Sequence, residues 1–98
     1  MNLNRDGDGF LVNIDDWSEE VMYHMAESDG MEITDEIKTY IDKAREMYGE
    51  TGTVPAVRNF AKEFNMGRKA SKLYEVFKSG PMKIIAKYGG LPKPTGCV

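Results

Sequence analysis

Apolar residues return at the three-and-four spacing of a buried helical face in four stretches of this chain, and a fifth, shorter stretch follows them. Trp17, Val21 and Met25 mark the first. Asp16 reads as its N-cap, with Glu19 three residues on as in a capping box, and Ser28-Asp29-Gly30 ends it. Thr34 caps the second, with Asp35 and Glu36 in the first turn near the positive end of the dipole. Ile37, Tyr40, Ile41, Ala44 and Met47-Tyr48 form its stripe, and Gly49 with Gly52 marks the exit. Pro55 suits the first turn of a third helix over about 55–64, carrying Val57, Phe60, Ala61 and Phe64. Asn65-Met66-Gly67 turns into a fourth over about 68–78, with Ala70, Leu73, Tyr74 and Phe77. Ser79-Gly80-Pro81 separates it from a fifth, running from Met82 to about Tyr88 and closed by Gly89-Gly90.

The two ends of the chain break this rhythm. Asp6-Gly7-Asp8-Gly9 stands between Leu3-Asn4-Arg5 and Phe10-Leu11-Val12-Asn13-Ile14, a spacing that predicts a β-hairpin packed on the helices. Leu91-Pro92-Lys93-Pro94-Thr95-Gly96-Cys97-Val98 cannot be helical with prolines so placed. The expected architecture is α+β and mostly helical. It has an N-terminal hairpin or meander on about five helices, a helix-turn-helix-like core, and an extended C-terminal arm. Residues 1–90 would form one globular domain and residues 91–98 a flexible arm.

The 98 residues, 41% hydrophobic and 30% charged, fit one small globular unit and not a disordered chain. No apolar run approaches the roughly 20 residues of a membrane span, and residues 1–6 lack a signal-peptide core. With a single cysteine, neither an internal disulfide nor a cysteine-clustered metal site is expected, and the placement is a reducing cytoplasm. The net charge of −3 hides a split. Residues 1–50 hold fourteen acidic and four basic groups, a balance of −10, while residues 51–98 hold two acidic and nine basic, a balance of +7. Such a field orients partners without choosing a fold.

Three constellations carry possible chemistry. Asn4, Asp6, Asp8 and Gly9, with Asp15 further on, resemble the start of a calcium loop. No entering helix precedes them, and the last ligand is not the long Glu, so an ordinary turn is the reading and no metal is expected. The third and fourth helices have helix-turn-helix connectivity, with Arg68, Lys69 and Lys72 on the second. That face offers lysines, Ser71 and Glu75 in place of base-reading side chains, so direct nucleic-acid binding is the weaker reading. The last constellation is the tail. Cys97 is penultimate, follows Gly96, and ends a segment stiffened by Pro92 and Pro94 that spans on the order of 25 Å in a polyproline-like conformation. Such a sulfur can enter another protein's site. Its thiolate is the reactive form, and the neighbouring C-terminal carboxylate opposes ionisation, so cations such as Lys93, Arg58 and Lys62 are candidate supports.

Leu73-Tyr74-Glu75-Val76-Phe77-Lys78-Ser79-Gly80-Pro81 and Gly90-Leu91-Pro92-Lys93-Pro94-Thr95-Gly96-Cys97-Val98 resemble the C-terminal signature of the DsrC/TusE family. Thr53-Val54-Pro55-Ala56-Val57-Arg58, Lys62, Asp8-Gly9-Phe10-Leu11 and Asp16-Trp17 extend the likeness. The resemblance implies sulfur trafficking on the penultimate cysteine, here Cys97, with no cofactor. It implies a donor of the TusBCD or DsrEFH type and, as acceptor, a tRNA-thiolating enzyme or a sulfite reductase. Members with two cysteines carry the second eleven positions before the last; here that position is Ala86, which leaves single-thiol persulfide relay. A second departure is Lys78, where the family usually has proline. The expected function is a sulfurtransferase-type carrier. The alternatives are an accessory or regulatory subunit of a dissimilatory sulfite reductase-type complex, or a helix-turn-helix nucleic-acid binder.

Overall fold

The computed structural model describes residues 3–66, 70–78 and 80–94. A 3-10 turn (Ile14–Asp16) precedes α1 (Glu19–Ser28), α2 (Asp35–Thr51), α3 (Val57–Lys62), α4 (Ser71–Phe77) and α5 (Pro81–Tyr88). Each boundary has a local cause. Ser18, and not Asp16, caps α1, its hydroxyl accepting from the Val21 N–H at 3.1 Å. The Thr34 hydroxyl accepts from Ile37 N–H at 3.2 Å to open α2, and Gly52 closes it at φ 76°. Pro55 lies just ahead of α3, whose N-cap is Ala56. Pro81 takes the first position of α5, where its missing N–H costs nothing.

α5 lies at the centre and packs on α2, α4 and α1. Met82, Ile85 and Ala86 on α5 are fully buried with Met22 and Met25 of α1, Ile41 and Ala44 of α2, Phe60 of α3 and Leu73 of α4. Tyr40 gathers three elements: its ring meets Phe64 edge-on at 5.0 Å and lies 6.1 Å from both Phe60 and Phe77. Its hydroxyl donates to Glu36 at 2.7 Å.

The expected hairpin is not there. Among the described residues no strand forms, and Arg5 with Leu11 makes one isolated antiparallel bridge. Two ladder-type backbone bonds form, Asp6 N–H to Phe10 O at 2.8 Å and Val12 N–H to Asn4 O at 2.9 Å, but side chains take the bonds that would extend them. Asp6 Oδ1 accepts from the N–H groups of Asp8 and Phe10, and Asn13 Oδ1 accepts from Asp15 N–H. The 3-10 turn then bends the second arm away immediately after Val12. Segment 3–13 is thus a looped turn with Phe10 and Leu11 inserted into the core, so the fold is helical and not α+β. A helix-turn-helix is not supported either. α3 and α4 are short, and among the described residues no turn of about 3–4 residues joins them.

The charge split is partly neutralised across the chain. Lys72 reaches Glu36 at 3.6 Å, Glu63 reaches Lys43 at 3.2 Å, and Lys93 reaches Asp6 and Asp8. The basic second half folds onto the acidic first half, so part of the expected polarity is internal. Among the described residues no helix is long and apolar enough to cross a membrane.

Candidate functional site

The C-terminal segment departs from α5, and several interactions fix its root. Gly90 adopts φ 67°, Leu91 N–H donates to Ala86 O at 2.9 Å, and Gly90 N–H points at Lys87 O at 3.5 Å. This is the paired closure that satisfies the last carbonyls of a helix ended by a left-handed residue. Leu91 is buried at 3% exposure, so the departing chain begins inside the core.

Two side chains hold the remaining carbonyls. Trp17 Nε1 donates to Tyr88 O at 2.7 Å, and Arg45 Nη1 donates to Gly89 O at 2.5 Å. The Arg45 guanidinium lies 3.7 Å from the centroid of the Trp17 ring, so the two groups also hold each other. Burial pulls the Arg45 pKa below its ordinary value. The indole packs so tightly on Gly90 that a Cβ there would sit 2.5 Å from Trp17 Cβ, Cγ and Cδ1. Glycine is required twice over, by conformation and by contact.

A second network ties this root to the N-terminal turn. Tyr88 Oη donates to Asp29 Oδ2 at 2.7 Å, and Arg5 grips the same carboxylate with two N–H groups at 3.2 and 2.7 Å. Arg5 Nε also donates to Gly9 O at 2.7 Å. The Arg5 hydrogen bonds hold the Asp29 carboxyl below its usual range against the opposing effect of burial. Burial, then the bond to Asp29, pushes the Tyr88 phenol up to about 12.

Of the residues singled out from the sequence, Pro92, Lys93 and Pro94 border a cleft of about 190 Å³ with Tyr48, Gly52, Thr53 and Val54. Arg58 and Lys62 stand exposed on α3 and do not line that cleft. Lys93 Nζ bridges Asp8 Oδ2 at 2.6 Å and Asp6 Oδ2 at 3.3 Å. Gly96 and Cys97 lie outside the described residues, as do Arg68 and Lys69. Ala86 is fully buried on the inner face of α5. Lys78 adopts φ 64° and ψ −59°, a φ that a proline ring cannot reach, so this chain makes its own turn between α4 and α5.

Sequence reasoning placed Trp17 on a helical stripe and, with Asp16, in the family likeness, and Arg45 entered only as one of the four basic groups of residues 1–50. No spacing rule shows that an indole and a guanidinium will meet over a glycine pair more than forty residues away.

This geometry defines a small helical body that anchors the start of its C-terminal segment in its core. The DsrC like protein family model matches residues 1–98. The chain is 44% identical over 94 residues to the sulfite reductase, dissimilatory-type subunit gamma, of Nitratidesulfovibrio vulgaris, covering 95% of this chain and 88% of that one. It is 34% identical over 101 residues to the sulfurtransferase TusE of Yersinia pseudotuberculosis, covering 98% and 94%. The oxidized gamma-subunit of the dissimilatory sulfite reductase (DsrC) from Archaeoglobus fulgidus superposes with a TM-score of 0.79 at 33% identity, covering 100% and 94%. The chain belongs to the DsrC/TusE family and is a sulfur-relay carrier protein.

Proposed function

We propose that Cys97 carries sulfane sulfur as a persulfide and that residues 91–98 act as the arm that delivers it. The observation that supports this reading most directly is that the chain's one cysteine is penultimate in a segment whose root is fastened by Trp17, Arg45 and the α5 closure. In the loading step the Cys97 thiolate attacks the outer sulfur of a donor persulfide. The new Cys97 S–S bond forms as the donor's S–S bond breaks, and the donor leaves as a thiolate. Delivery is the same exchange in reverse order, with an acceptor thiolate as nucleophile and Cys97 as leaving group.

Ala86 at the position eleven before Cys97 removes the intramolecular disulfide from this cycle, so each turn needs an acceptor in trans. The donor is a TusBCD- or DsrEFH-type complex, the acceptor a tRNA-thiolating enzyme or a sulfite reductase, and the setting is the cytoplasm. Residues 1–90 serve as the globular body. Arg58 and Lys62 are the candidate cations for steadying the anionic sulfur once the arm is engaged.

Intact mass after incubation with a persulfide-loaded donor tests the reading. The wild type gains the mass of one sulfur atom, reversibly with a reductant, and Cys97→Ala gains none. No gain on the wild type from donors of either type refutes it. A second reading, an accessory or regulatory subunit of a sulfite reductase-type complex, is favoured by the higher identity to the gamma subunit, 44% against 34%. It expects Cys97→Ala to keep both its place in the complex and its effect on the complex.

A further inference from the structure

We propose that Asp6 and Asp8 are positioning residues that fasten the C-terminal segment a second time, through Lys93, and so set the direction in which Cys97 is presented.

The N-terminal turn is built for such a contact. Asp6 Oδ1 is used inside the turn, accepting from Asp8 N–H at 2.9 Å and Phe10 N–H at 3.0 Å. That fixes the carboxylate plane and turns Oδ2 to Lys93 at 3.3 Å, while Asp8 Oδ2 meets the same ammonium at 2.6 Å. The ammonium also stands 5.9 Å from the centre of the Phe10 ring, which is anchored in the core. The turn is itself tied to the body, because Arg5 binds Gly9 O and the Asp29 carboxylate, which Tyr88 also holds. On the other side of the contact, Pro92 and Pro94 fix φ on either side of Lys93. The segment is therefore held at its root and again at Lys93.

The second fastening shortens the stretch of chain between its last fixed point and Cys97. Counted from Leu91, six residues reach Cys97; counted from Lys93, four do. Release of Lys93 lengthens that stretch by two residues. It also adds ordering entropy that any docking partner must overcome. The bearing on sulfur transfer rests on the carrier reading above. The fastening is measured with no donor or acceptor present, so the two ideas fail separately.

The chain has one tryptophan and one cysteine. An acceptor dye on Cys97 and the decay of Trp17 fluorescence therefore report the distance distribution between root and tip in the full chain. The wild type at low salt gives a narrow distribution. Asp6→Asn/Asp8→Asn, which keeps the Oδ1 acceptors of the turn, broadens it, as does Lys93→Gln. One molar salt, with a Debye length of about 3 Å, broadens the wild type towards the variants and leaves them unchanged. Lys93→Arg, which keeps the charge between the two carboxylates, keeps the narrow distribution. Circular dichroism confirms that each variant is folded, and Lys93→Gln serves alone if the turn variant is not. Equal distributions for wild type and the folded Asp6→Asn/Asp8→Asn and Lys93→Gln variants at low salt, or a broadening in Lys93→Arg as large as in Lys93→Gln, overturn the proposal.

Discussion

Substitution of Gly90 by alanine separates two effects that most glycine substitutions confound. The backbone at Gly90 is left-handed, which for an alanine costs about 1–2 kcal/mol. The added Cβ must also displace Trp17, since 2.5 Å to three of its atoms is far inside contact distance. Moving the indole breaks its bond to Tyr88 O, worth about 1 kcal/mol, and its stacking with Arg45, worth about 0.5–1 kcal/mol. The expected total is about 3 kcal/mol, a large part of the roughly 5–15 kcal/mol that holds a domain folded. Gly30 and Gly52 supply the controls: both are left-handed, at φ 74° and 76°, and neither has an atom within 4 Å of an added Cβ. Gly30→Ala and Gly52→Ala should each cost only the conformational part. Urea unfolding followed by Trp17 fluorescence gives all three values, and the Gly90→Ala midpoint should fall by about 1–2 M more than the controls. Equal losses in the three variants would refute the packing of the indole on the root.

Lys78→Gly should stabilise by about 1 kcal/mol by relieving a positive φ, and Lys78→Pro should destabilise, both read from urea midpoints. Burial first, then a bond to a carboxylate, pushes the Tyr40 and Tyr88 phenols from 10.0 up to about 12. Folding thus favours the protonated phenols. Their contribution is whole below pH 10, where unfolded tyrosines are neutral, and is lost as pH climbs from 10 towards 12, by an order of 1–2 kcal/mol each. Melting temperatures across that window should fall for the wild type and fall less for Tyr88→Phe; parallel curves count against the assignment. Ala86→Cys places a thiol on the buried face of α5. A native thiol titration should show one fast group and one slow group that equals it only after denaturation, and two equally fast groups would contradict the burial.

The helices were legible because each rests on local signals. Thr34 with Ile37, Pro81 ahead of Met82 and Gly52 after Thr51 state their roles within a turn or two of chain. The α1 cap was misplaced by two residues because Asp16 and Ser18 are both good acceptors. Which one caps depends on Asn13 and Ile14 drawing Asp16 into the 3-10 turn. The hairpin failed for a related reason. An Asp-Gly pair between apolar runs signals a turn, and the turn exists, but Asp6 and Asn13 bond the backbone themselves and leave one bridge where strands were expected.

The proposed site was half legible, and the division follows sequence distance. Cys97, its glycine and its prolines are contiguous, so their chemistry can be read as a string. What holds the segment ahead of them is assembled from positions far apart: Trp17 and Arg45 on the carbonyls of Tyr88 and Gly89, and Asp6 and Asp8 on Lys93. The sequence charge split pointed towards two opposed surfaces available to partners. The ion pairs instead join the halves to each other, with Lys93 among them. A cation read as support for the thiolate is already engaged by carboxylates of the body. Any partner that takes Lys93 must offer it at least as good an acid, while one that takes only the tip leaves the body's own steering intact. Exposed pairs of this kind are individually weak, so they bias the course of the segment at Lys93 without locking it.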